Sequence, residues 1–432
     1  MFRLLYSLLF YLAMPLVWLR LLWRARQQPA YLEHLGERHG FYGRRPARPL
    51  IWLHAVSVGE TRAAEPLIEA LLREYPEHGL LLTHMTPTGR VAGSDLLARH
   101  PERMVQTYLP YDLPAACGRF LDHFQPRVGL LMETELWPNL IEAARRRHLP
   151  LALINARLSP RSLRGYARLT KLIGPAVASL DAIGAQTTAD GERLQQLGAL
   201  AVTVCGNLKF DVAPAPDKLR LGARWRQTLG ARPVWLAAST REGEEALILD
   251  AFAAICVPEL LLVLVPRHPQ RFAEVAELIA ERGLAVGRRS EGSVPARQTQ
   301  VWLGDSMGEM AAYYALADLA LIGGTLLPFG GQNLIEAAAC GCPVLLGPHR
   351  FNFAQASADA IACGAAREVL DAAHAAAVVR DLFEQPKHLL AMRNGALHFA
   401  QAHRGATART LALIQPLMAP RAACLHVPGQ LR

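Results

Sequence analysis

Five charged residues in the first half of the chain stand just past short apolar runs. They are Glu60 in IWLHAVSVGET, Glu133 and Glu135 in METELWPN, Arg157 in NARLSPRS and Lys209 in GNLKFD. A carboxylate so placed can take a proton from a hydroxyl, and cations beside it can steady developing negative charge. Glu60 raises a question of its own. Its glycine-containing turn lies between an apolar run and a helical pattern, as phosphate-binding turns do, yet a carboxylate there repels phosphate. The second half carries a different set: Pro266 and Arg267 in LVPRHPQRF, Met307, Gly308 and Glu309 in GDSMGEM, and Asn333, Leu334, Ile335 and Glu336 in GGQNLIEAA. This half is richer in glycine and opens helices directly from loops, which suits phosphate. It reads as the nucleotide side, and the first half as the side for a reactant with no phosphate at the reacting point. Plain structural roles fit the same residues. Glu60 in a first helical turn gains about 0.3–1 kcal/mol from the dipole. Ser306-x-x-Glu309 and Ser239-x-x-Glu242 match capping boxes. Lys209 also suits a solvated loop and Arg267 a surface ion pair.

The elements that must position these residues are legible as periodicity. Apolar runs at 50–57, 80–85, 105–109, 128–132, 151–155, 182–186 and 202–205 alternate with helical patterns. A stretch rich in Pro and charge, 211–233, interrupts the rhythm and reads as a linker plus a first helix. The alternation restarts at 234–238, 260–265, 301–304, 319–322 and 344–346. Continuous apolar runs signal strands buried on both faces, hence parallel sheets covered by helices. Two such sets predict an α/β chain of two Rossmann-like domains, with ligands at the carboxyl ends of the strands. The expected division is an N-terminal anchor over 1–26, a first domain over 27–211, a linker over 212–233, a second domain over 234–418 and a tail over 419–432.

The chain has 432 residues, 51% hydrophobic and 19% charged, which excludes disorder. The net charge is +9, and residues 1–50 hold eight Arg and two Glu, so most of the excess sits at one end. Nucleic-acid binding would spread basic residues through a domain. A basic end beside the apolar segment 4–23 fits an anionic membrane surface. That segment matches the roughly 20 residues of a bilayer span, though Ser7, Pro15 and Arg20 weaken the case for spanning. Arg20, Arg24 and Arg26 place the rest of the chain on the cytoplasmic side. A buried N-terminal helix is the alternative. Seven cysteines without a CxxC pair suit a reducing compartment. No P-loop, no H-E-x-x-H motif and no G-x-S-x-G nucleophile elbow are read in the chain, nor any metal-ligand spacing among Cys and His.

In order and spacing, the stretches GERHGFY, HAVSVGET, MTPTG, YLPYDLP, METELWPN, NARLS, GNLKFD, LVPRHPQRF, GDSMGEM, GGQNLIEAA and GPHRFNF resemble the bacterial Kdo transferases. These enzymes add 3-deoxy-D-manno-oct-2-ulosonic acid (Kdo) to the lipid A precursor. The resemblance implies a GT-B architecture, with two Rossmann-like domains facing across a cleft. It implies CMP-Kdo as donor and a lipid A precursor hydroxyl as acceptor. It also implies attachment to the cytoplasmic face of the inner membrane, with no cofactor and no metal. By motif, Glu60 is the general base, and Glu133 and Lys209 stabilise the transition state. Pro266, Arg267, Met307, Gly308, Glu309 and 333–336 contact CMP. Gln332 and Leu334 depart from the family pattern GGHNPLEAA. On this reading the helix N-terminus keeps Glu60 ionised at neutral pH, and Arg267 with the backbone N–H groups near 330–333 receives the phosphate charge. Two readings compete: a GT-B-type sugar-nucleotide epimerase and a non-catalytic lipid-binding membrane protein.

Overall fold

The computed structural model describes residues 1–292 and 294–419, so the expected C-terminal tail, apart from Ala419, and Cys424 within it lie outside the described residues. The chain folds as two units, Met1–Val212 with the stretch from Gly405 onward, and Ala213–Arg404.

The first unit is built on a seven-stranded parallel sheet. Its strands are β1 (Leu50–His54), β2 (Gly79–His84), β3 (Met104–Tyr108), β4 (Val128–Met132), β5 (Leu151–Ala156), β6 (Ala182–Ala185) and β7 (Thr203–Val204). They run in the order β3-β2-β1-β4-β5-β6-β7, and Ile51 is in register with Leu80 on one side and Val128 on the other. Side chains alternate between the faces. Trp52, Leu81, Leu131 and Leu153 therefore enter a core with Phe120, while Leu53, Leu82, Leu130 and Ile154 enter another with Leu67. Both faces are buried, which is why the strands read as unbroken apolar runs. Gly129 is needed for closeness: a Cβ there would collide with Leu151 Cδ2 and the Trp52 ring. The strand order reverses between β1 and β4, and the crevice at such a switch point is where α/β sheets bind ligands.

The helix Phe2–Ala25 docks on this unit through one narrow stripe. Ser7 and Leu21 are buried. Phe10, Met14 and Val17 pack against Tyr111, Leu113 and Ala116, and the Trp18 ring stacks on His39 at 5.3 Å. Ser7 Oγ donates to Asn139 Oδ1 at 2.9 Å. The rest of its apolar surface, including Leu4, Leu8, Leu12, Leu16, Leu19 and Trp23, is exposed. By length and composition it is one helix apolar enough to cross a membrane.

The second unit repeats the plan with seven parallel strands: β8 (Val234–Thr240), β9 (Leu261–Pro266), β10 (Val286–Arg288), β11 (Val301–Leu303), β12 (Leu319–Ile322), β13 (Val344–Leu346) and β14 (Ala366–Glu368). Their order is β10-β11-β9-β8-β12-β13-β14, with the switch point between β8 and β12. Sequence periodicity misses β10 and β14. Both are three-residue edge strands, VGR and ARE, and a strand at an edge needs no apolar run.

Within 212–233, read as a linker plus a first helix, that helix is Pro216–Leu229 and it belongs with the second unit. Its Trp225 packs edge-on against Trp302 at 5.0 Å and near Tyr313 at 5.3 Å. The last helix, Ala406–Met418, is expected with 234–418 in the second domain but belongs to the first unit. Ala406 and Ile414 join the core there with Leu208. Its N-cap is Gly405, which has no side chain to offer. Asp211 supplies the cap from afar, accepting from Gly405 N at 2.7 Å and Thr407 N at 2.5 Å.

Candidate active site

In the first unit the chemistry gathers at the carboxyl ends of β1, β4 and β5 and in the turn after β7. Glu60 opens the helix Val58–Glu74, whose N-cap is Ser57. Its carboxylate turns back over the cap, accepting from Val56 N at 2.8 Å and from Ser57 Oγ at 2.9 Å. The structural and functional readings of Glu60 are therefore compatible: the same contacts cap the helix and fix both carboxylate oxygens. One expectation is corrected. The helix N-terminus does not hold Glu60 fully ionised at neutral pH. Burial, then the charges of Glu133 and Glu135, outweigh the two hydrogen bonds and push its pKa up to about 7. A base poised there still works at neutral pH.

Glu133 sits in the left-handed region at φ 57°, where a non-glycine residue is uncommon. Its backbone N–H donates to Ile154 O at 3.0 Å, which pins the turn to β5. Its carboxylate is nearly buried and pairs with Arg157 Nε at 2.9 Å and Lys209 Nζ at 3.4 Å. Lys209 is carried by the short 3-10 turn Leu208–Asp211. Asn155, also left-handed at φ 49°, anchors that turn by accepting from Leu208 N at 3.0 Å. So the structure brings Glu133, Lys209 and Arg157 into one ion cluster. Glu133 is the buried member of the cluster, while Arg157 keeps its side chain partly in solvent.

His54 and Asn155 are the residues that sequence reasoning missed here. His54 is fully buried at the end of β1, with Nδ1 against Thr83 Oγ1 at 2.9 Å. Burial pushes its pKa down to about 3, so the 3.9 Å approach of its Nε2 to Glu135 is not an ion pair. Trp137 Nε1 donates to the same Glu135 oxygen at 2.6 Å. A polar residue inside an otherwise apolar run was the available signal for both.

In the second unit the sequence-derived residues all lie at the carboxyl edge of the sheet: Pro266 at the end of β9 and Arg267 after it, Met307, Gly308 and Glu309 after β11, and Asn333 to Glu336 after β12. They differ in what they present. Leu334 and Ile335 are buried side chains of the helix core. Asn333 caps that helix, accepting from Ile335 N at 3.1 Å. Met307 is exposed, and Gly308 turns at φ 75°. Glu309 is held by Arg289 through two contacts of 3.0 Å and by Ser306 Oγ at 2.6 Å. The backbone groups near 330–333 are not all directed at an anion. Gly331 N donates to Gly324 O at 2.7 Å and Gln332 N to Gly323 O at 3.0 Å. The Ser239-x-x-Glu242 box is absent too, because the helix starts at Glu244 and Ser239 is still in β8.

The reading that the chain lacks G-x-S-x-G is corrected: the stretch 304–308 spells that nucleophile-elbow pattern. Its Ser306 hydroxyl meets the Glu309 carboxylate and the Tyr313 hydroxyl at 2.9 Å, and bonds no histidine among the described residues. It is scaffold. Among the described residues no group of three or more His, Cys, Asp or Glu is placed to hold a metal ion.

Comparison with known proteins gives this geometry a context. Residues 33–212 match the family model for 3-deoxy-D-manno-octulosonic-acid transferase (kdotransferase). The chain is 48% identical over 411 residues to the 3-deoxy-D-manno-octulosonic acid transferase of Bordetella pertussis, covering 92% of this chain and 95% of that protein. It is 36% identical over 429 residues to that of Haemophilus influenzae, covering 97% and 99%. Among solved structures, a glycosyltransferase from Rickettsia africae shares the fold, with TM-score 0.60 at 12% identity over 86% of this chain and 99% of that one. The two parallel sheets are thus a GT-B-type glycosyltransferase fold, and on sequence over nearly its whole length the chain belongs to the 3-deoxy-D-manno-octulosonic acid transferase family.

Proposed function

We propose that this chain moves Kdo from CMP-Kdo to a hydroxyl of the lipid A precursor, with inversion at the anomeric carbon, in lipopolysaccharide core biosynthesis. The observation that carries the mechanism is the state of Glu60: a carboxylate at a switch point, both oxygens fixed, with its pKa pushed up to about 7. Glu60 takes the proton of the attacking hydroxyl as the new glycosidic bond forms. The bond from the anomeric carbon to the CMP phosphate breaks, and CMP leaves with its electron pair. Lys209 and Arg157, balanced by Glu133, form a cationic cluster suited to the sugar carboxylate or to the charge that develops. CMP is taken by Arg267, Glu309, Asn333 and Glu336, with Pro266, Met307 and Gly308 shaping the turns. Leu334 and Ile335, whose side chains are buried, contribute through their backbone. The Leu334 side chain therefore falls in the core of the unit, and what its departure from proline changes toward a ligand is the backbone N–H that proline lacks.

The test is to incubate the protein with CMP-Kdo and lipid A precursor and follow CMP release and product mass. Release that requires the lipid, with mass gained in whole Kdo increments, supports the transferase. Bound CMP without transfer would leave a non-catalytic binder, and turnover of a UDP-sugar without lipid would leave the epimerase.

For membrane attachment we propose a helix lying in the cytoplasmic interface of the inner membrane. Support comes from its docking. The buried stripe runs from Ser7 to Leu21, roughly 20 Å of helix at 1.5 Å per residue. A helix tied along that length to a folded unit cannot cross the bilayer without drawing the unit in after it. Its opposite face is apolar, and Arg20, Arg24 and Arg26 suit anionic headgroups.

A further inference from the structure

The loop 323–332 leads from β12 into the helix that begins after Asn333, and it is held by a residue outside the set read from the sequence. Glu244, the first residue of the helix Glu244–Ala253, is fully buried. Its carboxylate accepts four backbone N–H groups: Arg241 at 2.9 Å, Gly324 at 2.6 Å, Leu326 at 3.0 Å and Leu327 at 3.4 Å. Three of these belong to the loop after β12 and one to the loop after β8. The neighbouring Glu245, also fully buried, accepts from Thr240 Oγ1 at 2.8 Å and from Arg271 Nη1 at 2.7 Å. Arg271 lies in the turn after β9 that begins with Arg267, and Arg267 N itself donates to Thr240 O at 3.0 Å. Two consecutive carboxylates therefore tie together the ends of three adjacent strands, β9, β8 and β12, on both sides of the switch point.

The physical demand is plain. A loop whose N–H groups at 324, 326 and 327 are turned inward needs an internal acceptor, because a buried unpaired N–H is costly. A carboxylate provides several lone pairs at one point, and charge-assisted bonds to it are the strong kind. A glutamine in its place has one oxygen and brings an NH2 that faces donors. Glu244 touches no solvent, so it acts on a ligand only through the loop it shapes.

We infer that Glu244 and Glu245 are positioning residues of the nucleotide pocket, Glu244 setting the loop that presents Asn333 and Glu336 and Glu245 setting the turn that presents Arg267. This rests on the donor-site reading above and names what holds that site in shape.

The experiment titrates CMP into the full-length protein by calorimetry and measures the donor KM and kcat, for the native chain and for Glu244→Gln, Glu245→Gln and Thr240→Val. Val379→Ala, a cavity in the apolar core of the same unit at a residue outside these loops, is the stability control. We expect Glu244→Gln to weaken CMP at least tenfold, with donor KM rising in step and kcat at saturating donor falling less than threefold. Thr240→Val, which removes a single hydroxyl donor to Glu245, weakens CMP about threefold. Val379→Ala lowers Tm without moving CMP affinity. The inference is overturned if the Glu variants bind CMP as the native chain does, or if Val379→Ala weakens CMP equally for the same loss of Tm. Should Glu244→Gln not fold, Thr240→Val and the milder Arg271→Lys decide, and native affinity in both overturns it. A native chain that binds no CMP would instead sink the donor-site reading itself.

Discussion

Glu60 is the residue on which the chemistry turns, and its environment makes two measurable statements. General base catalysis is typically worth 10²- to 10⁴-fold. Glu60→Gln keeps the side chain's size and removes its basicity, so kcat/KM should fall within that range while CMP affinity stays native. Undiminished turnover in the variant would remove Glu60 from the mechanism. The native pH–rate profile should rise through an acid limb near pH 7, because the carboxyl must lose its proton to act and its pKa is raised to about 7. The same shift is a stability term. The folded carboxyl is raised above its ordinary 4.5, so ionising it costs stability progressively as pH climbs from the unfolded value through the folded one. Glu60→Gln relieves that cost. Its stability relative to the native chain should therefore grow from about pH 5 to about pH 8, by at most about 3 kcal/mol. A pH-independent difference in denaturant titrations would contradict the raised pKa. The position of Glu60 past an apolar run was readable in the sequence. Its pKa was not, because it depends first on burial and then on Glu133, which is distant in the chain and adjacent only after β1 and β4 pair.

At the scale of elements, long-range capping is what the sequence concealed. Asp211 reads as the end of GNLKFD, yet it caps the helix Ala406–Met418. Removing an N-cap side chain costs about 0.5–2 kcal/mol. Asp211→Ala should lower the unfolding free energy by about 1–2 kcal/mol, and amide exchange should quicken in the last helix first. An unchanged unfolding curve would mean that the core contacts of Ala406 and Ile414 suffice. The strands show the opposite case. The twelve strands read from apolar runs are all present, and in all but β7, an exposed two-residue edge strand, burial writes itself into composition. The two that were missed, β10 and β14, lie at sheet edges, where one neighbour is enough and polar residues are tolerated.

At the scale of the molecule, the N-terminal helix joins a folded unit to a surface. Its exposed leucines and Trp23 form an apolar face with no covering element among the described residues of its own unit. Deleting residues 1–26 should move the protein from the membrane fraction to the soluble one while leaving CMP affinity native. Retention on anionic vesicles after deletion would locate the attachment elsewhere. Trp18 and His39 stack, and Phe10, Met14 and Val17 cover Tyr111 and Leu113, so a modest loss of Tm is expected with the deletion. By itself the sequence determined the layers: apolar runs between helical patterns fix parallel sheets, and parallel sheets fix the edge at which function collects. It also determined which side chains stand at that edge. Tertiary structure alone decided what those side chains do to one another: the Glu133–Lys209–Arg157 cluster, the raised pKa of Glu60, the four N–H groups gathered by Glu244, and the return of the last helix to the first unit. The reason is that periodicity is a local property, written every two or four residues. Charge coupling, hydrogen-bond partners and docking depend on distances that exist only once remote segments are packed side by side.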